Sequence, residues 1–361
     1  MSSTPTLDLF RSSVELTADI CNIESVSGDE HALANAIEAA LSEYAHLDIF
    51  RNEDAVVART NLGRSQRVII AGHIDTVPVN NNLPVRYSEE EGAQWLWGRG
   101  TVDMKAGVAV AVKLAAELTE PAYDITWIWY DHEEVESSLN GLGRLAVVAP
   151  ELLTGDFAIL GEPSNSTVEG GCNGTLRVEV RTHGVRAHSA RAWMGENAIH
   201  KLSSALSALE AYEPATVTVD GLDYREGLSA VGISGGVAGN VIPDAAVLTV
   251  NYRFAPDKSV DQALAHVQDV FAGFEIVVTD SAEGARPGLT AAIAQDFVAA
   301  VGEEPKPKYG WTDVSRFSAL GIPAVNFGPG DPSLAHTDNE RVLTSQIESC
   351  EQALRNWLTQ A

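Results

Sequence analysis

The sequence is poor in cysteine and in positive charge, and it contains no long hydrophobic run. Its three cysteines, Cys21, Cys172 and Cys350, are far apart and odd in number. That argues against a disulfide framework or a zinc cluster and suits buried, reduced thiols. Only 24 lysines and arginines stand against 50 aspartates and glutamates, a formal net charge of -26. Nucleic acids and anionic membrane surfaces are bound through basic patches, so neither is an expected partner. With no apolar stretch of about 20 residues, no membrane helix is expected. The opening "MSSTPTLDLFRSSVELTADI" lacks the basic-then-apolar pattern of a signal peptide, so the expected location is the cytoplasm. The same acidity repels anionic substrates at long range. An anionic substrate must therefore meet a local positive centre, which bound metal ions and a few arginines can provide.

What is present is the alternation of an α/β protein. The 361 residues exceed one ordinary core and suggest two domains. After "SVSGDE", Leu33, Ile37, Leu41 and Tyr44 recur at helical spacing. "RVIIAGH" (67–73), "DITWIWYD" and "FAILGEP" read as buried strands, and "MKAGVAVAVKLAAELT" (104–119) as a helix of small residues. Near residue 174 the pattern changes. An alternating strand "GTLRVEVRTHG" is followed by a helix over about 195–211, the strands "LSAVGISGG" and "AAVLTVNYRF", a helix near 259–272 and the strand "FEIVVTD". This order predicts a small two-layer α+β sandwich inserted into a larger domain. After "SAEGARPG" helix and strand alternate again, ending in a helix near 343–360. No internal repeat or low-complexity segment interrupts the chain.

The chemistry-bearing residues sit where the apolar runs end. His73 and Asp75 are two apart, so strand alternation points them to one side, where Asp75 either ligates a metal or orients His73. Asp103 stands between a Gly-rich turn and the small-residue helix, a position that in isolation reads as a helix N-cap. Glu133 and Glu134 follow an apolar strand, Glu162 follows another in "LGEP", and His336 lies in "LAHTDNE". Each alone favours a structural role. Together, as His-x-Asp, Asp, Glu-Glu, Glu and His at strand ends, they make a binuclear carboxylate and imidazole site. Its mixed nitrogen and oxygen ligands suit Zn²⁺ or Co²⁺ better than Mg²⁺.

The motifs "GHIDTVP", "GRGTVDMKAG", "EE", "LGEP", "GVRAHSARAWMGENAI", "GNVIPDA", "GWTDVSRF" and "LAHTDNE" occur in an order that resembles the M20 family of co-catalytic zinc amidohydrolases and peptidases, and within it the desuccinylases. The resemblance spans essentially the whole chain. It implies an α/β metal-binding catalytic domain with a central mixed sheet (1–173 and 286–361) and an inserted two-layer α+β lid and dimerisation domain (174–285). By position, Asp103 bridges two metal ions, His73 and Glu162 complete one, and Glu134 and His336 the other. The implied cofactors are two Zn²⁺ per subunit, with Co²⁺ as an alternative in one or both positions. Glu133 becomes the general base, Asp75 supports His73, and His188 reaches the partner subunit's site to help hold the oxyanion. Asn240, Arg253, Thr312 and Arg316 are the implied substrate contacts. Arg253 is apt because its planar fork can grip a carboxylate in two places. The chain departs from the family's usual Asp-Glu-Glu-Gly run, reading "HEEVESS" with His132 and Val135 in the flanking positions. It also reads "GGCNGTLR" where many desuccinylases carry an arginine just before the lid. The implied reaction is hydrolysis of the succinyl amide of N-succinyl-LL-2,6-diaminopimelate by a homodimer. Another M20 deacylase or dipeptidase, or a non-catalytic metal-binding member, is the alternative.

Overall fold

The computed structural model describes residues 5–360. The chain divides into two compact units. The first takes in residues up to Gly170, Gly288–Lys306 and the chain from Arg316 onward; the second comprises Gly171–Pro287 and Pro307–Ser315. Residues 307–315, expected with the catalytic domain, thus belong to the second unit. Their backbone is tied there, Asn173 donating to the carbonyl of Lys308 and the Ser315 hydroxyl to that of Glu283.

An eight-stranded mixed sheet organises the first unit. Its core is four parallel strands in the spatial order Asp124–Tyr130, Arg67–His73, Phe157–Leu160 and Ala324–Asn326. An antiparallel hairpin, Asp48–Asn52 and Ala55–Arg59, extends it on one side, and the short strand Glu169–Gly170 on the other. Every residue of Asp124–Tyr130 is buried, Trp127 and Trp129 included. A parallel strand covered on both faces reads as such an unbroken apolar run. Because these strands are parallel, their carboxyl ends lie along one edge of the sheet, where open α/β sheets gather ligands. His73 ends its strand opposite Tyr130, and Ala71 pairs with Leu160, so the segments carrying His73, Glu133, Glu134 and Glu162 leave from neighbouring points.

The helix Lys105–Glu117 is buried along nearly its whole length. Its small residues make that possible, and at Gly107 the requirement is absolute. A Cβ there would collide with the carbonyl oxygen of Gly161, the residue before Glu162. This close approach brings Asp103, just ahead of the helix, toward the Phe157–Leu160 strand end. A separate three-stranded sheet joins Arg341–Leu343, Ala93–Trp97 and Arg86–Glu90. There the Arg341 guanidinium stacks over Trp95 and Trp97 at 4.9 and 4.4 Å from the ring centroids, a cation–π arrangement.

The second unit holds an antiparallel four-stranded sheet in the order Gly227–Gly235, Ala245–Phe254, Gly174–His183 and Glu275–Ala282. Helices contribute Ala198, Ala205, Ala263 and Val267 to its apolar core. This is the expected strand, helix, strand, strand, helix, strand series, with two differences. The single helix expected over 195–211 is two, Ala198–Lys201 and Ser203–Glu210, and a hairpin, Thr216–Val219 with Leu222–Arg225, is added. The three cysteines are unpaired and buried, as expected from their spacing.

Candidate metal centre

Seven of the residues singled out in the sequence converge in the first unit. Two triads of ligand atoms, His73–Asp103–Glu162 and Asp103–Glu134–His336, each lie within 4.8 Å of one another. Asp103 is common to both. Its Oδ1 lies 3.1 Å from His73 Nε2, and its Oδ2 lies 3.1 Å from His336 Nε2. His336 Nε2 is also 2.9 Å from Glu134 Oε1, and His73 Nε2 is 4.0 Å from Glu162 Oε1. One carboxylate thus offers an oxygen to each of two imidazoles. That is the donor arrangement of a shared ligand between two cations. Glu133 forms a further group with His73 and Glu134, so both adjacent glutamates reach the centre.

The side chain of Asp103 does not cap the following helix, whose N-cap position is Met104 with no capping side chain. The N-cap reading that suits this residue in isolation is therefore set aside. Asp75 belongs to neither triad. Its Oδ1 accepts the N–H of Glu133 at 3.0 Å, and its Oδ2 accepts the N–H of Glu134 at 3.0 Å and the Ser27 hydroxyl at 2.7 Å. The His73 Nδ1 faces the Asp75 carbonyl at 3.0 Å and its carboxylate at 3.5 Å. Asp75 therefore fixes the His73 ring with Nε2 turned to the centre, and it also anchors the backbone of both glutamates. The sequence suggested only the first of these contacts.

Electrostatics follow from the crowding. Burial works against ionising Asp75, yet hydrogen bonds from His73, Ser27 and the Glu133 N–H hold its pKa down at about 2. Asp103, half-buried, is held against the cost of desolvation well below the usual carboxylate range by its bonds to His336 and His73. In the metal-free protein His336 is raised to about 10, chiefly by its hydrogen bonds to Asp103 and Glu134. Burial opposes protonation of His73, but Asp103 and Asp75 raise it well above an ordinary histidine. The carboxylates thus favour positive charge in their midst, and the residues fit a metal group.

Two contacts at the centre went unread in the sequence. Glu30, fully buried, accepts the N–H of His132 at 3.2 Å and that of Gly28 at 2.9 Å. Glu340, also buried, accepts the N–H groups of Val102 and Asp103. His132 and His336 both have left-handed backbones, φ 58° and 60°, which are uncommon outside glycine and concentrate at functional sites.

The remaining candidates lie elsewhere. His188, Asn240, Arg253 and Thr312 belong to the second unit, and Arg316 to the first, so "WTDVSRF" is divided between units. His188 is exposed, and its Nδ1 accepts the Ala190 N–H at 3.0 Å, which puts the proton of the neutral ring on Nε2. Asn240 is its near neighbour through the bond from the Ser189 N–H to the Asn240 carbonyl. Arg253 pairs with Thr175 across the sheet, and Asn251 with Arg177, which places the two arginines diagonally on one face. Burial, and then the like charge of Arg177, lower the Arg253 pKa. Thr312 is buried, and Arg316 Nη2 donates to the Ser137 hydroxyl at 2.9 Å.

A mixed α/β sheet whose strand ends gather two imidazoles and a set of carboxylates around one shared aspartate defines a metal-dependent hydrolase. The chain belongs to peptidase family M20/M25/M40, whose family model matches residues 69–360. It is 54% identical over 355 residues to the Mycobacterium tuberculosis (strain H37Rv) protein assigned as succinyl-diaminopimelate desuccinylase DapE, covering 98% of this chain and 99% of that one. It is 47% identical over 367 residues to the succinyl-diaminopimelate desuccinylase of Corynebacterium glutamicum, covering 99% and 98%. The fold matches a solved tripeptidase from Staphylococcus aureus, with a TM-score of 0.76 at 21% identity over 98% of each chain. It also matches a dinuclear metal-binding peptidase of the M20 family from Bacillus subtilis, with a TM-score of 0.70 at 17% identity over 96% of each chain.

Proposed function

We propose that this protein hydrolyses the succinyl amide of N-succinyl-LL-2,6-diaminopimelate to succinate and LL-2,6-diaminopimelate, a step toward lysine and cell-wall precursors, in the cytoplasm. The observation that carries the chemistry is Asp103, with one oxygen 3.1 Å from each of two histidines. Desuccinylase relatives at 54% and 47% identity over nearly the whole chain support the substrate.

His73, Glu162 and Asp103 would hold one Zn²⁺, and Asp103, Glu134 and His336 the other, with Co²⁺ an alternative occupant. Bound there, the ions supply positive charge that polarises the scissile carbonyl and acidifies water. Glu133 takes the proton of the attacking water. The water oxygen joins the succinyl carbon, the C–N bond breaks, and Glu133 delivers the proton to the leaving amine nitrogen. Asp75 keeps Glu133 in register through its backbone N–H and keeps the His73 ring turned to its metal. His188, with its proton on Nε2, donates to the oxyanion that develops in the transition state. Arg253 and Asn240 grip substrate carboxylates, and Thr312 and Arg316 are further substrate contacts.

The working form is a homodimer built through the second unit, with His188 serving the partner's site. The strand Gly227–Gly235 lies at the edge of its sheet and exposes Val231 and Ile233. An exposed apolar edge strand is a template for pairing with another chain.

Glu133→Ala is expected to retain both metals by elemental analysis while kcat falls by roughly 10²–10⁴-fold. Full turnover in that variant would remove Glu133 as the base. Mixed dimers of Glu133→Ala and His188→Ala should regain activity if His188 acts across the dimer. Hydrolysis of N-acetylornithine or simple dipeptides faster than the succinyl substrate would overturn the substrate assignment.

A further inference from the structure

We propose that Glu340 is a positioning residue that holds the backbone of Asp103, and that it thereby sets the affinity of both metal positions at once. The inference rests on the proposed reading of Asp103 as the shared ligand.

Glu340 follows His336 by four residues, in a segment whose histidine faces the centre directly. Its own carboxylate turns away from the centre and into the loop that carries Asp103. Oε1 accepts two backbone N–H groups, from Val102 at 3.0 Å and from Asp103 at 3.2 Å. Oε2 accepts from Arg99 Nη1 at 2.7 Å. The main chain joins in, because the Gly98 N–H donates to the Glu340 carbonyl at 3.0 Å. Arg99 is fixed in turn by donating to the carbonyls of Pro78 and Thr337. Both Arg99 and Glu340 are buried. With donors on both oxygens, the carboxylate is matched to this loop.

The consequence lies in where those two N–H groups are. They belong to the residue that bears the shared carboxylate and to the one before it, so the Asp103 side chain grows from a backbone pinned by Glu340. Asp103 makes no helix cap that would fix it otherwise. The neighbouring strand Arg341–Leu343 pairs Arg341 with Trp97, which fixes the Glu340 end of this arrangement. Ligand geometry tolerates little displacement, and groups that orient metal ligands are worth roughly 10–100-fold in metal affinity. Loosening a ligand that belongs to one position weakens that position. Loosening Asp103 weakens two.

The test is Zn²⁺ titration of the metal-free protein against a competing chelator, with stoichiometry by elemental analysis, for wild type, Asp103→Ala, Glu134→Ala and Glu340→Gln. The glutamine oxygen can face the two N–H groups or Arg99 but not both, so one hold is lost. Glu340→Gln is expected to bind both Zn²⁺ roughly 10–100-fold more weakly and to lose kcat with KM little changed. Glu134→Ala should weaken one position only. If Asp103→Ala keeps both ions at wild-type affinity, the reading of the metal centre fails. If Asp103→Ala loses them while Glu340→Gln keeps wild-type affinity at either position, the inference about Glu340 fails. Should Glu340→Gln not fold, Arg99→Lys replaces the guanidinium whose Nη1 holds Glu340 Oε2 and should weaken both positions by a smaller factor. Unchanged affinity at both in that variant overturns the proposal.

Discussion

The surroundings of Glu226 in the second unit and the metal centre of the first treat carboxylates in opposite ways. In the second unit Glu226 is enclosed by its own partners. The Tyr252 hydroxyl donates to it at 2.9 Å, the Ala255 N–H at 2.8 Å and Lys258 Nζ at 2.9 Å. Burial followed by the bond to Glu226 accounts for most of the balance at Lys258, whose pKa is raised overall. In the first unit Asp103, Glu133, Glu134 and Glu162 gather with the imidazoles of His73 and His336. A buried charge with a matched set of donors is part of the scaffold. Carboxylates crowded together around shared imidazoles are a site suited to cations, and their mutual repulsion is a cost that stability alone would not select.

Breaking the scaffold carboxylate has the largest expected effect on stability. Glu226→Ala takes an acceptor from the buried Tyr252 hydroxyl and the Ala255 N–H, and one of two carboxylate partners from the half-buried Lys258, which typically costs about 1–3 kcal/mol. A lowered denaturation midpoint, with hydrogen-exchange protection lost across the Ala245–Phe254 strand, is the expected reading. A loss under about 1 kcal/mol would erase the contrast between the units. The site carboxylates should respond the other way. Glu133→Gln removes one negative charge from the crowd at nearly constant volume, and the metal-free protein is expected to gain about 1 kcal/mol. Chemical denaturation in the presence of chelator measures this, and destabilisation comparable to Glu226→Ala would show that Glu133 is scaffold.

Most of the centre was legible in the sequence because its residues obey a local rule. An apolar run ends, and the next polar side chain stands at the carboxyl edge of the sheet. His73, Glu133, Glu134 and Glu162 follow that rule. Asp103 was ambiguous, since a carboxylate ahead of a helix is ordinarily a cap, and only the absence of that cap resolves it. Glu340 and Glu30 were illegible for a physical reason: at the centre they reach the N–H groups of Val102 and Asp103 and of His132, more than 230 and about 100 residues away, and backbone leaves no sequence signature. The hairpins 48–59, 86–97 and 216–225 were missed because most of their strands are too exposed to produce an apolar run. The segment 307–315 was misplaced because its attachment to the second unit is made through backbone and hydroxyl bonds at both its ends, not through a change of pattern.

The same contrast makes a prediction about protons. In the metal-free centre the imidazoles supply the positive charge: His336, held by Asp103 and Glu134, is raised to about 10, and His73 is raised in the same direction against its burial. A histidine whose folded pKa lies above its unfolded value of about 6.5 contributes stability that is fully present below that value. The contribution is lost as pH rises through the folded pKa. Metal-free protein should therefore lose stability between about pH 6.5 and 10. Metal ligation requires neutral imidazole. Filling both positions near pH 7.5 should thus release about two protons per subunit, and affinity should weaken as pH falls. Calorimetric titration of Zn²⁺ in buffers of different ionisation enthalpy counts them. Release near zero would mean that His73 and His336 are neutral before metal arrives, and the carboxylate crowd would then have to be balanced by protons on the carboxylates themselves.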